Sequence, residues 1–129
     1  MISVIVPFSG AEKDLLRHQL RALSMQSYRN LFEVVVVCNN STLCSEDISV
    51  VGIKAHIKLI LVHAEDQFGA GYARNVGAQN SHGDFLLFCD ADDLVHPNWL
   101  SELEKGLYIY DLVGGSIEPF VEISGNHYR

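Results

Sequence analysis

Residues 69–93 read GAGYARNVGAQNSHGDFLLFCDADD. Two early glycines lead into a segment, 70–81, expected to be a helix. Gly83 follows, then Phe85–Phe88, an apolar run short enough to be a buried strand. That strand delivers Asp90, Ala91, Asp92 and Asp93 into a loop. Residues two apart on an extended backbone face one side, so Asp90 and Asp92 converge. Asp93 is expected to point elsewhere and to start the next helix. Paired carboxylates at a strand end suit a hard divalent cation such as Mg²⁺ or Mn²⁺, which takes oxygen ligands and is often shared with a substrate's phosphates. Acids in a loop also serve as turn or N-cap residues, so the surroundings decide what they mean.

Outward from this segment, strands and helices alternate. Ile2–Phe8 is nearly all apolar, as a buried parallel strand is. Residues 12–26 place Leu15, Leu16, Leu20 and Leu23 at helical spacing, with Glu12 and Asp14 early, where acids suit the helix dipole. Residues 33–38 hold four successive valines and predict a second strand, followed by the polar loop 39–42. A short helix or turn is expected over 45–52 and a third strand over 57–62. A helix over 97–105 starts at Pro97 and is stopped by Gly106. Another strand begins at 111–113, 117–123 is a possible β segment, and 125–129 is a frayed tail. This order predicts an α/β fold, a mainly parallel sheet with helices on both faces, and ligands bound beyond the carboxyl ends of its strands.

Composition narrows the class. The 129 residues suffice for one domain with its own core, and 48% hydrophobic with 19% charged residues is ordinary for a globular protein. No apolar run approaches the ~20 residues of a membrane span. The start lacks the basic region and cleavage site of a signal peptide. A net charge of −7 without a basic patch argues against a nucleic-acid partner. Three cysteines, Cys38, Cys44 and Cys89, lack paired spacing and fit a reduced, cytoplasmic setting. The six histidines are scattered, and Walker and GxSxG motifs are absent.

The segment 69–93 resembles the signature of family 2 glycosyltransferases. The matching elements are Gly69, Ala73-Arg74-Asn75, Gly77, Gly83, the strand 85–88 and Asp90 to Asp93, with Val4 to Pro7 resembling the family's opening strand. The resemblance implies a GT-A fold, a Rossmann-like three-layer α/β/α sandwich over residues 1–129, spanning the first, nucleotide-sugar-binding half of a typical member. It implies inverting transfer of a sugar from a UDP-, GDP- or dTDP-linked donor to a glycan or lipid-linked acceptor hydroxyl, with Mn²⁺ or Mg²⁺. Asp92 would be the direct metal ligand. Asp90 would hold the ribose or assist the metal. Arg74 would sit near the nucleobase or orient the carboxylates, with Pro7, Phe8, Ser9, Cys38, Asn39 and Ala91 completing the donor site. Gly69 and Gly71 would let backbone approach the ligand.

Two positions depart from the family pattern. Ser9 stands where members carry a base-stacking Tyr, and Cys38 where they carry a base-binding Asp; Asn39 is a neutral substitute. No residue matches the family's catalytic base, and Glu118 and Glu122 read better as a solvated strand face. A non-catalytic binding module on the same fold is the alternative. A nucleotidyltransferase is disfavoured, because residues 9–12 are too short and too acidic for its basic glycine-rich loop.

Overall fold

The computed structural model describes residues 1–10, 12–42, 45–49 and 51–118, and the backbone of 121–123 and 126–128. Strands β1 (Ile2–Phe8), β2 (Phe32–Cys38), β3 (Ile57–His63) and β4 (Phe85–Phe88) form one all-parallel sheet in the order β3-β2-β1-β4. The register runs Ile2 beside Phe32 and Phe85, and Phe8 beside Cys38. β1 and β2 are buried along nearly their whole length, which explains why they read as unbroken apolar runs rather than alternating ones.

Helices cover both faces. Helix α1 (Lys13–Ser24) turns Leu16, Leu20 and Leu23 onto the sheet, and Ile48 of the short helix α2 (Ser45–Ser49) joins the same cluster. Helix α4 (Trp99–Leu107) adds Leu100, Leu103 and Leu107 to it, and Trp99 packs there too, as expected for a residue covering the core. Helix α3 (Ala70–Gln79) lies on the opposite face against Ile5, Val35 and Val37. Gly77 makes that contact possible: a Cβ there would meet Ile5 Cγ2 at 2.5 Å and Val37 Cγ2 at 2.8 Å. The three-layer α/β arrangement is thus as expected.

The differences lie past β4. α4 starts at Trp99, so Pro97 and Asn98 precede it, and Gly106 falls inside the helix, where Val113 crowds the space a Cβ would take. Residues 111–113 form no strand. Among the described residues of 117–123, Val121–Ile123 form a strand, β5, which pairs antiparallel with β6 (Asn126–Tyr128), in the segment expected to fray. Cys44 and the side chain of Glu122 lie outside the described residues. Among the described residues, no helix is long and apolar enough to cross a membrane.

The chain winds from β1 to β3 in one direction and then returns to the far side of β1, so the sheet has a switch point between β1 and β4, where open α/β sheets bind ligands. Pro7 helps to open it. The Ile5 carbonyl accepts the N–H of Cys89 at 3.2 Å, while the Phe8 carbonyl accepts that of Asn39 at 2.8 Å. By alternation Pro7 faces β4, and it has no N–H to give. β4 leaves the sheet there, and the acid loop begins.

Candidate donor site

Four chain segments meet at the switch point. The end of β1 brings Pro7, Phe8 and Ser9; the end of β2 brings Asn39; the first turns of α3 bring Ala70, Ala73 and Arg74; the loop after β4 brings Asp90, Ala91 and Asp92. With Gly10, Glu12 and Leu15 they line a cavity of about 380 Å³. A second cavity, about 510 Å³, opens on the β4 edge and shares Arg74 and Asp90 with the first.

The carboxylates of Asp90, Asp92 and Asp93 each place an oxygen within 4.8 Å of the others. Asp93 was expected to turn away and open a helix; instead it joins the group, because the chain makes a tight turn here, with the Asp93 N–H on the Asp90 carbonyl at 3.3 Å, and α4 begins six residues later. An all-oxygen, anionic donor set of this kind fits Mg²⁺ or Mn²⁺. Arg74 Nη2 donates to Asp90 Oδ1 at 3.0 Å. Both groups are partly exposed, so the pair adds little stability and mainly orients Asp90. Cys89, beside the loop, stays a thiol: burial, and after it the charges of Asp90 and Asp93, push its pKa well up.

Asn39 and Cys38 are placed differently from the expectation. Asn39 is almost fully buried; its Nδ2 donates to the carbonyls of Ala64 (2.6 Å) and Gln67 (2.7 Å), and its Oδ1 accepts the N–H of Gly69 (3.0 Å). Both amide hydrogens are committed, so Asn39 ties down the loop before α3 instead of presenting a donor to a base. Gly69 caps α3 at φ +138°, a conformation that favours glycine. Gly71, by contrast, is an ordinary helical residue facing open space. The Cys38 side chain points into the core under α1, with Sγ donating to the Ser41 carbonyl at 3.2 Å, and does not line the cavity. Phe8 is core with one edge on the cavity. Asn75 is exposed on α3, away from the lining.

One contributor was missed in the sequence. Gln19 sits fully buried in the apolar stripe of α1, with its amide against the acid loop. Its signal was there: it lies three residues after Leu16 and four before Leu23, at the edge of the apolar stripe, and a buried polar residue there needs a partner.

The geometry agrees with what the chain is similar to. The sequence profile of Glycosyl transferase family 2 matches residues 3–124. Glycosyltransferase GlyA of Streptococcus pneumoniae is 32% identical over 98% of this chain, which spans 18% of that protein. Glycosyltransferase AglE of Haloferax volcanii is 33% identical over 91% of this chain and 39% of its own length. Among solved structures, S. aureus TarS 1-349 in complex with UDP-GlcNAc superposes with a TM-score of 0.69 at 29% identity, covering 83% of this chain and 31% of that one. The mannosyltransferase PcManGT of Pyrobaculum calidifontis, in complex with GDP-Man and Mn²⁺, gives 0.61 at 26% identity over 72% of this chain and 28% of its own. The chain thus spans well under half the length of these relatives. With a profile match over nearly its whole length and the acid loop at the switch point of a parallel sheet, the chain belongs to glycosyl transferase family 2.

Proposed function

We propose that this chain binds the donor for sugar transfer from a nucleotide diphosphate to an acceptor hydroxyl. The observation that carries this is the convergence of three carboxylates beside a cavity of about 380 Å³ at the sheet's switch point. The nucleoside lies between the β1 end and Asn39, in a space of ordinary ligand-pocket size. Asp92 and Asp90 hold Mn²⁺ or Mg²⁺, with Asp93 alongside. When bound, the cation takes up the charge of the diphosphate as leaving group. Arg74 fixes Asp90 so that its second oxygen stays free to bind. The small side chain of Ala91 leaves room between the two acids. The N-terminus of α3, without a side-chain cap, adds a positive field for the phosphates.

The sugar and a glycan or lipid-linked acceptor enter from the second cavity, in a cytoplasmic setting. Transfer is inverting, and its acidic base comes from outside the described residues. UDP, GDP and dTDP are the candidate nucleotides; the TarS and PcManGT complexes hold UDP-GlcNAc and GDP-Man. A nucleotide-binding or interaction module without transfer is the second reading, favoured by Cys38 and Asn39 at the β2 end, which carry no carboxylate to read a base and whose polar atoms bond within the protein.

The test is calorimetric titration of UDP, GDP and dTDP, each with and without Mn²⁺, into wild type and Asp92→Ala. One diphosphate should bind in the presence of Mn²⁺, and its heat should vanish in Asp92→Ala. A folded protein that binds none of them has no donor site of this kind.

A further inference from the structure

Three carboxylates within 4.8 Å of one another repel, yet the loop that carries them is neither strand nor helix. Its backbone polar groups therefore need partners from elsewhere. Two buried glutamines seven residues apart supply them, Gln19 within α1 and Gln26 just after its end. Gln19 Nε2 donates to the Asp90 carbonyl at 3.0 Å, and its Oε1 accepts the N–H of Val95 at 3.1 Å. Gln26 Nε2 donates to the His96 carbonyl at 2.6 Å, and its Oε1 accepts the N–H of Leu100 at 3.0 Å. The Ser27 N–H adds a bond to the Pro97 carbonyl at 2.7 Å.

The two glutamines divide the segment. Gln26 seats the start of α4. Gln19 spans the acid turn itself, gripping it at Asp90 and again just after Asp93. A primary amide suits this place: it satisfies one acceptor and one donor at once without adding charge. A lysine or arginine there would cancel part of the negative field that attracts a cation; a glutamate would add to the repulsion.

Resting on the donor-site assignment above, we propose that Gln19 is a positioning residue that holds the Asp90–Asp92–Asp93 turn in its cation-binding shape before the cation arrives. Outer partners of metal ligands commonly change metal affinity by about 10–100-fold when removed.

The test compares Mn²⁺ affinity, measured by electron paramagnetic resonance on the metal alone, in wild type, Gln19→Met, Gln26→Met and Asp92→Ala. Methionine keeps the length of the side chain and removes both hydrogen bonds. Gln19→Met should weaken Mn²⁺ binding about tenfold or more. Gln26→Met, at a glutamine that is also buried and bonded to the same segment, should lower stability and leave Mn²⁺ affinity unchanged. Equal affinity in wild type and Gln19→Met overturns the role of Gln19 while leaving the donor site standing. Mn²⁺ binding that is absent in wild type, or that Asp92→Ala leaves unaltered, overturns the donor site and this role with it.

A second measurement needs no variant. In wild type titrated with Mg²⁺, the side-chain NH₂ resonances of Gln19 should shift together with the backbone amides of the acid turn, while those of Gln26 stay still. A Gln19 signal that does not move while the turn shifts overturns the proposal even if Gln19→Met fails to fold.

Discussion

The sheet carries a cluster of acid at each end, and the two are built in opposite ways. At the amino end Glu33 is fully buried, and everything it needs is present. Its Oε1 accepts from Ser3 Oγ at 2.6 Å and from the backbone N–H of His82 at 2.5 Å, and its Oε2 lies 3.1 Å from His82 Nδ1. Ser3 Oγ in turn accepts the N–H of Gly83 at 2.7 Å, pinning the turn before β4. At the carboxyl end three carboxylates crowd together, with Arg74 bonded to Asp90 at 3.0 Å. The first cluster is complete within the protein. The second leaves negative charge facing a cavity. An acid that stabilises the fold is buried and bonded; an acid poised for a ligand is partly exposed and held by its backbone.

The largest effect should come from breaking the complete cluster. Glu33→Ala removes charge-assisted hydrogen bonds and strands the donors of Ser3 and His82; it should lower unfolding stability by about 3 kcal/mol in urea denaturation. Stability equal to wild type would mean that the cluster is not structural.

A smaller effect should follow on acidification. Burial opposes ionisation of Glu33, but the hydrogen bonds from Ser3 and His82 outweigh it and hold the carboxyl below its ordinary value of 4.5. A depressed folded-state pKa contributes stability that is complete above the unfolded value and lost as pH falls through the folded one. The acid limb of wild-type stability should therefore steepen below pH 4.5. In Glu33→Gln that limb should be flatter. Identical limbs would contradict the assignment.

At the carboxyl end the sign should reverse. Asp92→Asn relieves like-charge repulsion across at most 4.8 Å and should raise metal-free stability by roughly 0.5–1 kcal/mol. A clear loss would show that the acid turn is structural after all. The smallest effect belongs to Arg74→Ala. The exposed pair with Asp90 should cost within about 0.5 kcal/mol of stability. Nucleotide affinity in the presence of Mn²⁺ should nonetheless fall about tenfold by calorimetry, because Asp90 loses its orientation.

The contrast also explains what could be read without coordinates. β1, β2 and α1 were legible because burial leaves long apolar runs and an apolar stripe, and those patterns are local. Asp90 and Asp92 were legible because a strand followed by spaced acids is local too. Asp93 was misplaced because its direction depends on a turn, not on strand periodicity. Glu33 and Gln19 were passed over because each looks like an ordinary polar residue; their partners lie 49 and 71 residues away in the chain. Asn39 was read as a hydrogen-bond partner for the base because sequence shows its donors but not the carbonyls of Ala64 and Gln67 that take them. The shift of α4 to Trp99–Leu107 has the same origin: Gln26 and the Pro97 carbonyl fix where the helix starts, and Gly106 does not stop it.

The most direct test of the contrast is thermal unfolding of wild type, Asp92→Asn and Glu33→Gln, each with and without Mn²⁺. A ligand that binds only the folded state raises the midpoint. Wild type should gain on adding Mn²⁺. Asp92→Asn should start higher and gain nothing. Glu33→Gln should start lower and gain as much as wild type. A Mn²⁺ gain that survives in Asp92→Asn, or that disappears in Glu33→Gln, would contradict the division between a structural acid at one end of the sheet and a cation site at the other.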